Sequence, residues 1–574
     1  MFDHPTSFDP RNDSVVRVEA YRLRARLAHY YATDGRNDPI EIALPRGGYA
    51  PEFLVRQGVD PGAGSQISAA RPAPDPVSRP APSSRRRTVV LAGIALAVCA
   101  SIFALVLTVR MRQLAAAESA PLVVLPFTVA SDAPQDRQLA EGFADELTSA
   151  LARIKGLRVI ARTSASQFKD ASEDYAGLAS RLKVGAVVRG SVRRSGTRLR
   201  ITVQLIRLPD AYHAWAESYE REEGDLVALQ DEISWGVASA LGNAAAMRAS
   251  GGERRPIPAA YDLYLKGRSL RGKATPEALL QSVALFEAAT ASDPSYALAH
   301  AAVADVHATL AFHGLESPAD AMARARSAAD RALSLDPALA EAHAAAALVR
   351  FTGDWDWPAA EREFLRATEL SPSAVRTRIW YAFGLATRRR PADALAQMAV
   401  ARQLDPLSLD AGNDHAMILF FARRYQEAAS HARRALEANP RLTIAHVLLG
   451  ECLVATGRYG EAVEEFRRAI DPSGRISLVV GRMGHALAMA GRHDEARALL
   501  RQVETAPVRS GTPNTEMAFI YAGLGEKGRA FECLDAAFAA REGELLFLDV
   551  APAFDGLRSD SRFETLARKV GLRR

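Results

Sequence analysis

The sequence predicts a multidomain chain: a long array of antiparallel helix pairs, a small α/β module, one apolar segment of membrane length, and a short helix–hairpin piece at the N-terminus. Three observations carry this. Six X-Pro steps, Asp293-Pro294, Asp336-Pro337, Ser371-Pro372, Asp405-Pro406, Asn439-Pro440 and Asp471-Pro472, recur at intervals of 43, 35, 34, 34 and 32 residues. Residues 88–109 carry no charge over 22 positions. Residues 120–243 change from helical to strand-like patterning and back. At 574 residues the chain exceeds what one core can organise. A net charge of +5 is too small to imply nucleic acid alone, and three cysteines give neither a disulfide framework nor zinc spacing.

The first 56 residues combine a helix with a hairpin. Asp13 or Ser14 can cap a helix whose apolar residues are Val15, Val18, Leu23 and Leu27, while Arg17, Arg22, Arg24 and Arg26 line much of the rest. "PIEIAL" then alternates as a strand, "PRGGY" turns, and a second short strand follows. The order, with Val16, Val18, Arg22, Leu23, Arg24, Leu27, Gly48 and Tyr49, is similar to the second half of OmpR-type winged-helix domains. That resemblance implies Arg17, Arg22, Arg24 and Arg26 as the residues facing DNA. The plain alternative is a solvated basic helix beside anionic lipid.

Residues 57–87 hold six prolines among many Ala and Ser, a composition that cannot bury a core and reads as an extended linker. The apolar run 88–109 is long enough to cross ~30 Å of hydrocarbon and too far from the N-terminus for a signal peptide. Arg71, Arg79, Arg85, Arg86 and Arg87 precede it and Arg110 and Arg112 follow. This bias predicts a single-pass inner-membrane protein with a cytoplasmic N-terminus and periplasmic C-terminal domains.

Residues 120–243 read as strand 121–130, helix 138–154, short strand 157–161, helix 174–182, hairpin 185–208, strand 213–222 and helix 226–241. Leu199, Ile201, Val203 and Leu205 alternate with Arg198, Arg200, Thr202 and Gln204, so one face is buried. Leu125-Pro126-Phe127, Glu141-Gly142-Phe143-Ala144, Arg158 to Arg162, Gly190-Ser191-Val192-Arg193 and Trp215-Ala216 resemble the TolB-like domain found fused to helical repeat arrays. The resemblance implies a module near envelope complexes or in signalling proteins, without implying a reaction. Thr163 and Ser164 end a predicted strand as polar groups, but no base accompanies them.

From 258 to 574 the Pro-terminated units continue. Ala416, Ala428 and Ala435 fall where antiparallel helices pass closely, as do Gly450, Ala462 and Ala469, with Phe466 filling the gap; Pro406 and Pro440 close their units. Period, small residues and terminal Pro together resemble the tetratricopeptide repeat (TPR) family over roughly 258–540. Two further helix pairs follow around Gly484/Ala496 and Ala518/Ala530, and the tail from Asp549 reads as a cap over the last apolar face. The resemblance implies a groove, lined by the first helix of each pair, for a protein or extended peptide.

Chemistry-bearing motifs are few. There is no P-loop, HExxH or GxSxG. Gly523, Gly525 and Gly528 form a GxGxxG at a helix–helix turn, the wrong setting for a dinucleotide. His300, His343 and His446 each stand seven residues after the Asp or Asn of an X-Pro step, a slot read as packing rather than a ligand row. Arg423-Arg424, Arg433-Arg434 and Arg467-Arg468 are solvated surface or a basic groove. Nothing resembles a cyclase catalytic domain with paired metal-binding aspartates. The expectation is a chain that is not an enzyme, with no catalytic, cofactor or metal residues. It is a membrane-anchored interaction scaffold or sensor first, and a membrane-tethered, ToxR-like DNA-binding regulator second. Partner, signal and oligomeric state stay open.

Overall fold

The computed structural model describes residues 120–573, apart from 131–132, 155, 169–173, 196–197, 209, 223–225, 244–255, 274, 471–478 and 506–512, together with Leu27 and residues 30–32, 40–43 and 52–55. Arg17, Arg22, Arg24, Arg26, the linker and the apolar run 88–109 lie outside the described residues. Among the described residues no helix is long and apolar enough to cross a membrane. The chain divides into two compact units, residues 1–98 and 99–574.

In the first unit β1 (Ile40–Ala43) pairs antiparallel with β2 (Glu52–Val55), the expected hairpin. Tyr31 is buried, and its hydroxyl accepts a hydrogen bond from the Ile42 amide at 2.9 Å.

The second unit begins with the α/β module. Its strands are β3 (Leu122–Val124), β4 (Thr128–Val129), β5 (Ala186–Ser195), β6 (Arg198–Arg207) and β7 (Tyr212–Glu222). The order is β3-β5-β6-β7, with β4 also on β5; β3 and β4 run parallel to β5, and the rest is antiparallel. The expected strand 121–130 is broken because Pro126 has no N–H for the ladder and Phe127 turns inward. A Cβ on Gly190 would strike that Phe127 ring. The expected strand 157–161 reduces to one parallel bridge, Val159 opposite Leu122. Beyond it the backbone turns to the helical array, where the Ala161 amide donates to the Leu404 carbonyl at 2.7 Å.

Helices α1 (Pro134–Arg153) and α4 (Leu226–Ala240) cover one face of the sheet, burying Phe143, Leu147, Leu151, Ile233 and Val237 on Leu199, Ile201, Val203 and Leu205. The predicted alternation is therefore real. Short α2 (Arg162–Ala165) and α3 (Tyr175–Leu182, capped by Asp174) close one end of the other face over Val123 and Val187.

Eight helix pairs follow among the described residues, the first six closed by the X-Pro steps and the last two without one. They are α5 (Pro258–Arg271) with α6 (Pro276–Ser292), α7 (Ala297–Phe312) with α8 (Pro318–Leu335), α9 (Ala340–Val349) with α10 (Trp357–Leu370), and α11 (Val375–Thr387) with α12 (Pro391–Leu404). Then come α13 (Leu409–Phe421) with α14 (Tyr425–Ala438), α15 (Thr443–Ala455) with α16 (Tyr459–Ala469), α17 (Val479–Met489) with α18 (His493–Thr505), and α19 (Pro513–Gly523) with α20 (Lys527–Ala539). Two 3₁₀ turns and α21 (Ser561–Lys569) cap the end, burying Leu545, Leu548, Phe554, Leu557 and Phe563.

Small residues set the close crossings. Ala462 and Phe466 are fully buried, and a Cβ added to Gly450 would lie 2.7 Å from the Phe466 ring. Gly267 meets Phe286 in the first pair in the same way, at 2.6 Å. The Trp355–Trp357 stretch departs from the repeat. Residues 350–354 form a wide turn, Trp355 takes a left-handed backbone at φ 58°, and Trp357 fits over Gly384.

The module and the array are not beads on a string. Tyr261 and Leu265 of α5 belong to the same core as Phe143 and Leu147. At the pair-to-pair loops, Ser164 Oγ donates to Asp405 Oδ1 at 2.6 Å and accepts from the Leu407 amide at 2.9 Å, while the Val159 amide donates to Ser373 Oγ at 3.1 Å. Ser164, one of the two polar groups at the end of the expected strand, thus marks a seam.

Candidate functional site

The first helices of successive pairs line the concave side, and their charged residues meet there. Asp305 of α7 accepts from Arg271 Nε of α5 at 3.1 Å and Arg376 Nε of α11 at 3.2 Å; Arg376 also donates to Thr309 Oγ1 at 3.0 Å. Contact between α7 and α11, two pairs apart, requires tight curvature. Burial opposes the charge on Asp305, yet Arg376 and Arg271 hold its carboxyl below the usual range. Arg376 is half exposed to the concave space. Opposite it, Asp414 of α13 makes no hydrogen bond or ion pair among the described residues; burial, then Asp410, pushes its pKa up to about 7 against the pull of Arg376.

Further along, Arg482 of α17 is shared by three carboxylates. It donates to Glu451 of α15 at 2.8 Å, Glu516 of α19 at 3.0 Å and Glu544 of the terminal segment at 2.9 Å, with its guanidinium over the Phe519 ring. Burial pushes Glu516 up to about 8, against the pull of Arg482 and the Gly481 amide, which donates to it at 2.6 Å. Because its folded pKa lies above its unfolded value, Glu516 stabilises the fold fully below about pH 4.5, and that contribution is lost as pH rises through about 8. Glu516→Gln is therefore expected to flatten the fall in melting temperature between these limits, as read by circular dichroism; an unchanged slope would place the titration elsewhere.

The terminal segment also closes the curve. Phe547 stacks on Phe421 at 5.0 Å and meets Phe383 at 6.1 Å and Phe312 at 6.2 Å, three residues of first helices. Phe538 packs on Trp355 at 5.4 Å, and Arg423 holds Asp555 at 2.6 Å. The last pair thereby leans back on pairs two to five.

The predicted positions fare unevenly. Gly450, Ala462, Phe466 and Ala469 meet in one helix pair. Pro406 and Pro440 stand in the turns that precede α13 and α15. The histidine slot is packing of a specific kind: His300, His343 and His446 bond through Nε2 to the carbonyls of Pro294, Pro337 and Pro440 at 3.2, 2.9 and 3.0 Å. His343 and His446 also reach Glu363 and Glu465 on the second helix at 2.6 and 2.7 Å. Arg378 occupies the same slot in the fourth pair, donating to the Pro372 carbonyl at 2.9 Å. The slot spacing could have found it.

A basic groove built from arginine pairs is not what forms. Arg424, Arg467 and Arg468 pair with Glu427, Glu464 and Glu465, three residues away on the second helices, so their charge is neutralised locally. The concave residues Arg271, Asp305, Arg376, Asp414, Glu451, Arg482 and Glu516 were missed, because no local pattern distinguishes them from other helix charges. Among the described residues no group of His, Cys, Asp or Glu is arranged to hold a metal.

In the α/β module a small cleft lies beside the end of β3, between Pro126, Glu141, Asp145, Arg162 and Ser166. Arg162 pairs with Asp145 at 2.5 Å; burial nonetheless pushes Asp145 up to about 6.

The class these features define is a tetratricopeptide-type array joined to an α/β module. A tetratricopeptide repeat family model matches residues 413–475. A second match is more particular: residues 118–235 match the second domain of HilA/YgeH-like transcriptional regulators. It falls on the segment that resembled a TolB-like domain, and that assignment gains no support. A Rhizobium meliloti (strain 1021) protein named "Putative adenylate cyclase 3" is 32% identical over 193 residues, which cover 33% of this chain and 32% of that protein. The chain thus spans about a third of the length of its curated relative. This match corrects the expectation that the chain is not an enzyme, since the shared stretch occurs in a protein named as one.

Among solved structures, PilF of Pseudomonas aeruginosa is 19% identical with a TM-score of 0.28, covering 35% of this chain and 90% of that one. YrrB, described as a TPR protein with an unusual peptide-binding site, is 21% identical with a TM-score of 0.24, covering 33% and 94%.

Proposed function

We propose that this protein is a regulatory scaffold whose helical array holds a protein or an extended peptide on its concave face. The observation that carries the reading is the charged lining built from first helices, with Arg376 open to the concave space and Asp414, within its field, making no hydrogen bond or ion pair among the described residues. A half-buried carboxylate that makes no hydrogen bond or ion pair of its own, with only the field of Arg376 beside it, gains from a partner that supplies a cation there. Reversing both acids, Asp410→Lys with Asp414→Lys, should abolish partner capture while helicity stays at the wild-type level. Capture at wild-type strength would move the partner elsewhere.

The second reading is a membrane-tethered regulator. The match of residues 118–235 to a transcriptional-regulator domain favours it. In this reading residues 88–109 cross the inner membrane, and Arg17, Arg22, Arg24 and Arg26 contact DNA. Alkaline phosphatase and a cytoplasmic fluorescent protein, each fused after residue 250, test the placement. Phosphatase activity supports a sensor outside the membrane; fluorescence alone sinks it.

A further inference from the structure

Among the described residues the α/β sheet ends in an unpaired edge strand. Strand β7 is 11 residues long and pairs on one side only, with β6. Among the described residues no backbone group of Tyr212–Glu222 bonds to anything beyond β6 and its own strand. Unpaired edges are usually blunted by shortness, Pro, bulges or charged side chains, Lys above all. β7 is long, contains no Pro and has its one register shift near His213; its charges, Glu217, Glu220, Arg221 and Glu222, include both signs, so they repel a neighbouring strand in some registers and match it in others. Exposed aromatics flank the edge. Tyr212 is 66% exposed, and Trp235 of α4 is 49% exposed, one residue before the Gly236 that covers the Trp215 ring. They add apolar surface near the open edge.

We infer that β7 pairs antiparallel with β7 of a second copy of this chain, about a two-fold axis through Tyr219, continuing the sheet across two molecules. Charge picks both occupant and register. When facing residues must share a face, only certain centres are allowed. A centre at Glu217 or Glu220 sets glutamates against themselves, and one at Arg221 does the same for arginines. A centre at Ser218 opposes no charges. The Tyr219 centre places Glu217 opposite Arg221 of the second copy, and by symmetry does so twice, with Ser218 opposite Glu220 and Ala216 opposite Glu222. On the helix-covered face Arg221 bonds Glu232 of α4 at 2.9 Å and Glu217 accepts from the Tyr219 hydroxyl, so the two charges that would meet across the axis are already oriented along that face. Two arrays carried by one sheet would bind a repetitive partner with avidity.

The test is sedimentation of the full chain over a concentration series, with Glu217→Arg, Arg221→Glu and the double exchange. Each single change opposes like charges at both ends of the interface and should weaken the dimer about tenfold or more. The double change restores opposite charges and should recover dimerisation, which also shows that the singles did not act by unfolding. A wild-type chain that stays monomeric overturns the inference. So does a dimer indifferent to the single changes, or one that the double change fails to restore.

Discussion

Ala462→Asp should unfold its repeat and abolish partner capture. Ala462 is fully buried at a helix crossing where Phe466 already fills the space beside Gly450. The new carboxylate finds neither room nor a counter-ion. An isolated buried charge costs several kcal/mol, about the stability of a repeat and its interfaces. The loss should spread to the neighbouring pairs, because each pair's apolar face is covered mainly by the pairs beside it. A cooperative melt should therefore split or shift down sharply. Gly460→Asp is the control: it lies on the same helix, is exposed, and its added Cβ would meet nothing. Wild-type melting in Ala462→Asp would mean that the repeat register is wrong.

Arg482→Met should be nearly as damaging, with a pH signature. The arginine is the shared counter-ion of Glu451, Glu516 and Glu544, and its own side chain is largely buried. Removing it leaves three carboxylates facing one another, at a cost of about 3–5 kcal/mol. Glu451 and Glu516 already have pKa values raised by burial, so their protonated forms are the favoured ones in the fold. Acidification should therefore rescue the variant: the loss is greatest above about pH 8, where Glu516 is ionised, and shrinks towards pH 5 as the cluster takes up protons. Equal loss at both ends of that range would show that the arginine acts through packing on Phe519 instead.

Legibility followed the range of the interactions. The helix pairs were readable because Pro at each unit end, and Gly450, Ala462 or Phe466 at each crossing, are local demands repeated at a fixed period. The buried face of β6 was readable because alternation is local as well. Pro126 could have warned of the break between β3 and β4. The seam was not readable: Ser164 and Asp405 meet across 241 positions, and neither residue differs from an ordinary loop Ser or helix-ending Asp. Nor was the closure by Phe547, whose partners Phe312, Phe383 and Phe421 look like any other core aromatics at helix ends. The concave charges fail for the same reason. Arg376 reaches Asp305 only because the array curves, and curvature is a sum of small rotations that no single repeat displays.

On the proposed reading the partner sits on the concave face. Site-specific photo-crosslinking in living cells tests it most directly, with a photoreactive phenylalanine analogue placed at Arg376 or Asp414 and, for comparison, at the exposed second-helix positions Arg366 and Glu427. One discrete crosslinked species is expected from both concave positions and none from the outer pair. Crosslinks from Arg366 and Glu427, with the concave positions silent, would contradict it and assign binding to the convex surface.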